Sequence, residues 1–143
     1  YKINKSLNIR SQRTLPIKST KSQTYFQSLN SNDLRSALSK MNSRCNQYGL
    51  NFKDFPDWIF AIDLSDSKRT YFIDFSKKSI TKRLDNNCKK KRLTLKISSS
   101  KLNKILLRED HLNNCIIGHE LKWERQPNVY NQHLYNALNF FHL

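Results

Sequence analysis

Glycine is almost absent from this chain, which has two glycines, Gly49 and Gly118, among 143 residues. Nucleotide-binding loops rely on glycine-rich turns, because glycine lets backbone amides approach a phosphate closely. The sequence therefore argues against an NTPase and against a dinucleotide-dependent enzyme.

Cysteine is also scarce. The three cysteines, Cys45, Cys88 and Cys115, are widely spaced, and no two of them form a C-x-x-C pair. This pattern fits neither a disulfide framework nor a zinc ribbon, and it favours a reducing, cytoplasmic location. Nothing near them in sequence indicates an activated thiolate. We therefore predict that Cys45 and Cys115 are small buried hydrophobic residues.

Long hydrophobic runs are missing. A membrane span needs about 20 consecutive apolar residues, whereas the runs here cover only a few residues, and the N-terminus lacks the apolar stretch of a signal peptide. We expect a soluble protein of one domain. The chain begins at Tyr1 without an initiating Met and ends on the apolar run 140–143. This asymmetry indicates that an N-terminal portion precedes it.

Metal-binding and catalytic motifs are incomplete. His119 and Glu120 begin like the H-E-x-x-H motif of zinc proteases, but Trp123 stands where the second His is required. His111, beside two acidic residues, is typical of a solvated turn. We find no complete catalytic centre and predict no catalytic residue, metal ligand or cofactor within this chain. Whether it is part of an enzyme stays open.

Acidic residues are few, and the resulting charge is unevenly distributed. The chain has 26 Lys or Arg against 11 Asp or Glu, for a net charge of +15. Between Ser76 and Lys101 there are ten basic residues and, of acids, Asp85 alone. Two neighbouring strands with such side chains could track phosphates and bind nucleic acid; a solvated hairpin loop is the competing interpretation. This basic patch comprises Lys77, Lys78, Lys82, Arg83, Lys89, Lys90, Lys91 and Arg92.

Apolar periodicity divides the chain into an arm and one folded domain. Residues 1–30 are rich in Ser, Lys, Thr and Gln without an apolar period, which is typical of a basic linker or arm. Residues 31–143 are predicted to form a single α+β domain. Its first helix, capped by Ser31 or Asn32, ends near Gly49, because apolar residues recur at the four-three spacing of one helical face: Leu34, Leu38, Met41, Cys45 and Tyr48.

Alternating apolar residues predict the strands. A hairpin is expected over 58–64 and 71–75, a short third strand over 79–83, and a further strand over 93–97. Then follow a helix over 102–109, an Asn-rich turn at 113 and 114, a strand over 117–123 and a last helix over 132–142. This order predicts an α+β fold with an antiparallel sheet of about four to five strands and helices packed on one face.

Two groups of aromatic residues are candidates for a ligand pocket. Trp58, Phe60 and Tyr71 could wall an apolar cavity between sheet and helices, although simple core packing explains them more economically. Trp123, Arg125 and Tyr130 form a polar and aromatic cluster in which a guanidinium group could stack on a ring or hold a carboxylate. The alternative for this second group is that it anchors the last helix.

A resemblance to a known family lies in the stretch 93–143. It reads L-T-L-K-I-S-S-S-K-L-N-K-I-L, then H-L-N-N-C-I-I-G, then R-Q-P-N-V-Y and L-N-F-F-H. This stretch is similar to the C-terminal region of metallo-β-lactamase-fold proteins related to the sialic-acid nucleotide hydroxylases, in which a sterol-carrier-like α+β module follows the metal domain. The positions that match the pattern have no catalytic role to transfer: Asn113, Gly118, Arg125, Pro127 and Tyr130.

The resemblance implies a role as an accessory module. The metal ligands of that fold come from an H-x-H-x-D-H motif, which does not occur here, so any metal would belong to an N-terminal catalytic domain, a hydrolase or a hydroxylase. The leading hypothesis is a non-catalytic C-terminal domain that packs on this catalytic domain and shapes a substrate pocket, with a small-molecule or lipid-like ligand. The alternatives are a basic nucleic-acid-binding module and a purely structural subunit.

Overall fold

The computed structural model describes residues 29–118 and 121–143. The predicted arm, residues 1–30, lies outside the described residues except for its last two. Within them the chain forms, in order, α1 (Ser31–Gln47), a 3-10 turn (Phe52–Asp54), β1 (Trp58–Leu64), β2 (Arg69–Asp74), β3 (Ser79–Thr81), β4 (Lys91–Ile97), α2 (Ser99–Leu106), α3 (Leu112–Ile117), β5 (Lys122–Gln126) and α4 (Gln132–Leu138).

The five strands form one sheet in the order β3-β2-β1-β4-β5. Neighbouring strands are antiparallel except at the centre, where β1 and β4 are parallel with Phe60 opposite Leu93. This confirms the predicted α+β class, with one departure from a simple antiparallel meander. The two longest strands, β1 and β4 with seven residues each, pair with each other in the interior of the sheet. The short β3, with the sequence Ser-Ile-Thr, lies at an edge, where fewer apolar contacts are needed.

The helices pack on one face of this sheet, as predicted. Alternate residues of every strand from β1 to β4 point to that face and join helix residues in one core. Polar side chains pair across the opposite face. There the Lys96 Nζ lies 2.7 Å from Glu124 Oε1, and Arg92 Nη2 donates to Gln126 Oε1 at 2.7 Å. The sheet therefore has one apolar inner face and an outer face on which polar pairs flank the buried Ile59 and Ala61 of β1.

Helix α1 follows the predicted apolar spacing. Leu34, Leu38, Met41 and Cys45 are all buried along one side. The cap lies one residue earlier than expected, since the Asn30 side chain accepts a hydrogen bond from the Asn32 backbone N–H at 3.0 Å. Helical backbone ends at residue 47, and Gly49 follows with a φ of +73°, a conformation that favours glycine.

The segment before β5 was predicted wrongly. Residues 112–117 form a helix rather than a turn and the start of a strand, and β5 begins only at Lys122. Leu112 and Cys115, three residues apart, are both buried, which is the spacing of one helical face. The alternation of apolar residues through 117–123 obscured that spacing. Helix α4 is also shorter than predicted and ends at Leu138.

The residues after α4 are held by Arg44 of α1. Its Nη1 donates to the backbone oxygens of Phe140 at 3.2 Å and of His142 at 2.7 Å, and also lies 2.8 Å from Nδ1 of His142. Nδ1 also lies 3.2 Å from the Leu143 backbone oxygen, so it accepts from Arg44 in one tautomer and donates to Leu143 in the other. Burial is the largest cause and lowers the pKa of His142; the hydrogen bond with the Leu143 oxygen raises it, the charges of Arg44, Arg108 and His111 lower it, and the pKa lies below its ordinary value overall.

We expect the folded protein to lose stability when His142 becomes protonated. Because its pKa is lower in the folded state, the unfolded chain binds the proton first, and the free energy of unfolding falls as the pH drops below the ordinary histidine value of about 6.5. Denaturant unfolding between about pH 7 and pH 5 measures this loss. His142→Asn keeps an acceptor for Arg44 without a titrating ring and should flatten the curve. An unchanged slope in this variant would contradict the assignment.

Candidate functional site

A pocket lies where the inner face of β5 meets α3 and α4. Trp123 and Arg125 project to this face because they stand opposite Leu95 and Leu93 of β4 in the register. Since β5 is the outermost strand, no further strand covers the two side chains on that edge. The pocket, called here the aromatic pocket, has a volume of about 410 Å³ and is lined by Asn113, Ile116, Trp123, Arg125, Tyr130, Tyr135, Asn136 and Asn139.

Four aromatic rings form a continuous row from the core to this pocket. Phe60, which is buried, lies 6.3 Å from the ring of Trp123, and Trp123 lies 5.5 Å from the ring of Tyr135. Tyr130 stacks on Tyr135 with ring centroids 4.9 Å apart. The outermost ring is 60% exposed. The inner end of the row is therefore anchored by core packing, while its outer end offers a free aromatic surface.

The polar groups of the aromatic pocket are a guanidinium, a phenol and an indole N–H. Burial raises the pKa of Tyr135, and this outweighs the lowering effect of the charge of Arg125 and of its hydrogen bond to Tyr135. Nε1 of Trp123 is buried, and no acceptor for its proton lies among the described residues. A buried donor without a partner costs about 1–3 kcal/mol.

The structure brings together only one of the two predicted aromatic groups as a pocket. Trp123, Arg125 and Tyr130 line the same cavity. Trp58, Phe60 and Tyr71 are 2%, 1% and 3% exposed and belong to the core. That any of these six residues contacts a ligand stays a prediction. For the group of Trp123, Arg125 and Tyr130, lining a pocket and anchoring the last helix are compatible, because the Tyr130 ring also stacks on Tyr135 of α4.

Tyr135 and the three asparagines of the aromatic pocket were missed from the sequence. The apolar stripe of α4 was read through Leu134 and Leu138, and Tyr135 lies directly beside that stripe, facing β5. The available signal was that Tyr135 follows Tyr130 by five residues. The start of α4 lies between them, where the Asn131 side chain caps the helix by accepting from the Leu134 N–H at 3.0 Å. The asparagines carry no pattern of their own, since they come together only through packing of α3 against α4.

The predicted basic patch is divided by its salt bridges. Lys90 Nζ contacts both carboxylate oxygens of Asp74, at 2.7 and 2.9 Å, and Lys91 Nζ lies 3.0 Å from Asp57 and 5.8 Å above the centroid of the Trp58 ring. Burial would raise the pKa of Asp74, but hydrogen bonds, first that of Lys90, lower it overall. The remaining lysines and arginines of the patch make no ion pair within the described residues.

The two buried thiols, Cys45 and Cys115, are poor nucleophiles. Cys45 and Cys115 are buried, as predicted, and burial raises the pKa of both, that of Cys45 to about 11. Within residues 29–118 and 121–143, no group of three His, Cys, Asp or Glu side chains is arranged to hold a metal ion. No helix in the same residues is long and apolar enough to cross a membrane.

Comparison with known proteins gives distant structural similarity alone. No protein-family model and no curated sequence matches the chain. Sterol carrier protein 2-like 2 of Aedes aegypti aligns over 76% of this chain and 95% of its own, with a TM-score of 0.45 and 6% identity.

Two further sterol carrier structures are similar at the same level. Sterol carrier protein 2 of Yarrowia lipolytica gives a TM-score of 0.44 at 12% identity over 65% of this chain and 74% of its own. Sterol carrier protein domain 2 of Helicoverpa armigera gives a TM-score of 0.44 at 13% identity over 78% of this chain and 87% of its own. The structural neighbours are thus sterol-carrier-like domains, and similarity at this level assigns neither a ligand nor an activity to this chain. The metallo-β-lactamase part of the sequence resemblance has no counterpart among them.

The two tryptophans should differ in access to solvent. Trp58→Phe leaves Trp123 at the aromatic pocket as the fluorophore, and Trp123→Phe leaves Trp58 in the core. We expect acrylamide to quench the first variant with a clearly steeper Stern–Volmer slope than the second, because one indole borders an open cavity and the other is 2% exposed. Equal slopes would mean that the aromatic pocket is closed.

Proposed function

We propose that this chain is a non-catalytic accessory domain that binds an amphipathic small molecule in the aromatic pocket. The observation that carries the proposal is the combination of three aromatic rings, of which Tyr130 is 60% exposed, with a guanidinium group around one cavity. Its volume of about 410 Å³ lies within the usual range of small-molecule sites, about 300–1,000 Å³. The raised pKa values of Cys45 and Cys115 also argue against either of these thiols as a nucleophile.

The lining defines the chemistry of the ligand. The rings of Trp123, Tyr130 and Tyr135 suit an apolar body that is flat or chain-like, which includes lipid-like molecules. Arg125 presents a charged fork that suits a carboxylate or another anionic oxygen. A molecule with an apolar body and an anionic head suits both the rings and Arg125.

The accessory role rests on the resemblance of residues 93–143 to modules that follow a metallo-β-lactamase-like domain. On this proposal the partner is an N-terminal catalytic domain in the cytoplasm, which supplies the metal, and the aromatic pocket shapes part of its substrate site. Val129 and Tyr130 at the pocket rim are 45% and 60% exposed, and a neighbouring domain could cover them.

Paired probes test the pocket chemistry. The ligands 2-naphthoate and neutral 2-naphthalenemethanol share an apolar body and differ in charge, and their binding is followed by Trp123 fluorescence in the Trp58→Phe background. Arg125→Gln should weaken naphthoate binding by about tenfold, because it removes a charged hydrogen bond, and should leave the alcohol unaffected. Tyr130→Ala should weaken both.

Lys122→Gln is the matched control. Lys122 is an exposed cation on the same strand, 3.6 Å from Glu124, and its loss should change neither binding constant. The ligand-binding proposal would be overturned if both probes bound and neither Arg125→Gln nor Tyr130→Ala changed their binding constants.

The accessory role has a separate test. Translation of the coding sequence upstream of Tyr1 should reveal an H-x-H-x-D-H motif within about one domain length in the same reading frame. When the longer protein is expressed, Tyr130→Ala should change KM more than kcat, because the residue contacts substrate rather than metal. An upstream sequence without any such motif would contradict the proposed partner.

A further inference from the structure

A second cavity lies at the opposite face of β5, at one end of the sheet. Its volume is about 540 Å³, and it is lined by Leu84, Asp85, Asn86, Cys88, Lys89, Lys90, Lys91, Arg92, Gln126 and Pro127. We call it the basic pocket. The loop from β3 to β4 forms one wall as it passes the ends of β2 and β1, and the end of β5 forms the other. Residues 34 positions apart in the chain, Arg92 and Gln126, are joined there by a hydrogen bond.

The charges in the basic pocket are not equivalent. Lys90 is neutralised by Asp74, and Lys91 by Asp57. Arg92 donates through Nη2 to the neutral Gln126 side chain, which leaves its full positive charge and the Nη1 group uncompensated. Lys89 is exposed and has no ion pair among the described residues.

The one acidic residue in the lining, Asp85, cancels only part of this charge, because two cations without an ion pair, Lys89 and Arg92, stand against one carboxylate. The Asp85 carboxylate accepts the Asn87 backbone N–H at 3.0 Å, and its backbone oxygen accepts from the Cys88 N–H at 3.0 Å. Asp85 therefore shapes the loop that carries Lys89. The pocket also lies in the segment 76–101 that holds ten basic residues, so its surroundings attract anions over a longer range.

We propose that the basic pocket binds a phosphate group. Arg92 provides the planar fork that suits a tetrahedral oxyanion, and its position is set by Gln126 across the strand pair. Lys89 provides a second, mobile charge on the loop. The volume accommodates a phosphorylated small molecule, and a nucleic-acid backbone carries the same group.

The two pockets are independent in structure. Arg125 and Gln126 are neighbours on β5, but successive strand residues point to opposite faces, and they stand opposite Leu93 and Arg92 respectively. A substitution at the aromatic pocket should therefore leave phosphate binding intact, and failure of one proposal does not affect the other.

Calorimetric titration with pyrophosphate at low salt tests the proposal on the full chain. Arg92→Gln and Lys89→Gln should each weaken pyrophosphate binding, the first by about tenfold or more. Arg92→Lys should bind more tightly than Arg92→Gln but less tightly than the wild type, because it keeps the charge and loses the planar guanidinium fork. Lys40→Gln, which removes an exposed cation on α1, is the matched control and should bind as the wild type does. Arg125→Gln should also leave pyrophosphate binding unchanged.

A single-stranded oligonucleotide in the same assay identifies the source of the phosphate. If Arg92→Gln weakens both ligands, the pocket binds phosphate and the larger ligand is nucleic acid; if pyrophosphate alone binds, the ligand is a small molecule. The proposal is overturned if wild-type protein does not bind pyrophosphate at millimolar concentration, or if Arg92→Gln and Lys40→Gln bind alike.

Discussion

The parallel pairing of β1 with β4 is the contact on which the other features of this domain depend. It places the two longest strands side by side, so that Phe60 and Leu93 meet in the core. Because parallel strands need a long connection, the chain from β3 must pass the end of the sheet before β4 begins. That connection is the basic loop, and its position follows from the pairing.

The same pairing leaves β5 at the edge of the sheet. An edge strand has a free side, which natural proteins protect with charged residues, and β5 reads Lys-Trp-Glu-Arg-Gln. Here the alternation of the strand also directs its side chains to two different pockets. Trp123 and Arg125 reach the helix face and form the aromatic pocket, whereas Gln126 reaches the other face and positions Arg92. One five-residue strand thus contributes to two cavities of different chemistry.

Local patterning determined much of this fold. The four-three spacing of α1 and the alternation in β1, β2 and β4 are sufficient to predict these four elements, because each element buries one face and its period shows in the residues themselves. The short helix α3 was not predicted, because it is too short for its period to show in the residues. Its buried residues, Leu112 and Cys115, complete only one helical turn, and the alternation that follows imitates a strand. The cysteine interpretation succeeded because burial of a small apolar thiol needs no partner.

The sequence by itself therefore determined the class of fold, the main core positions, the net charge and the absence of a complete catalytic motif. Only the tertiary structure decided which charges remain available and which rings share a cavity. Lys89 to Arg92 look alike as a run of four cations, yet Asp74 and Asp57 neutralise two of them from other parts of the chain. Tyr135 joins Trp123 only because α4 packs beside β5. Ion pairing and stacking depend on distances between residues remote in the chain, and local periodicity contains no information about those distances.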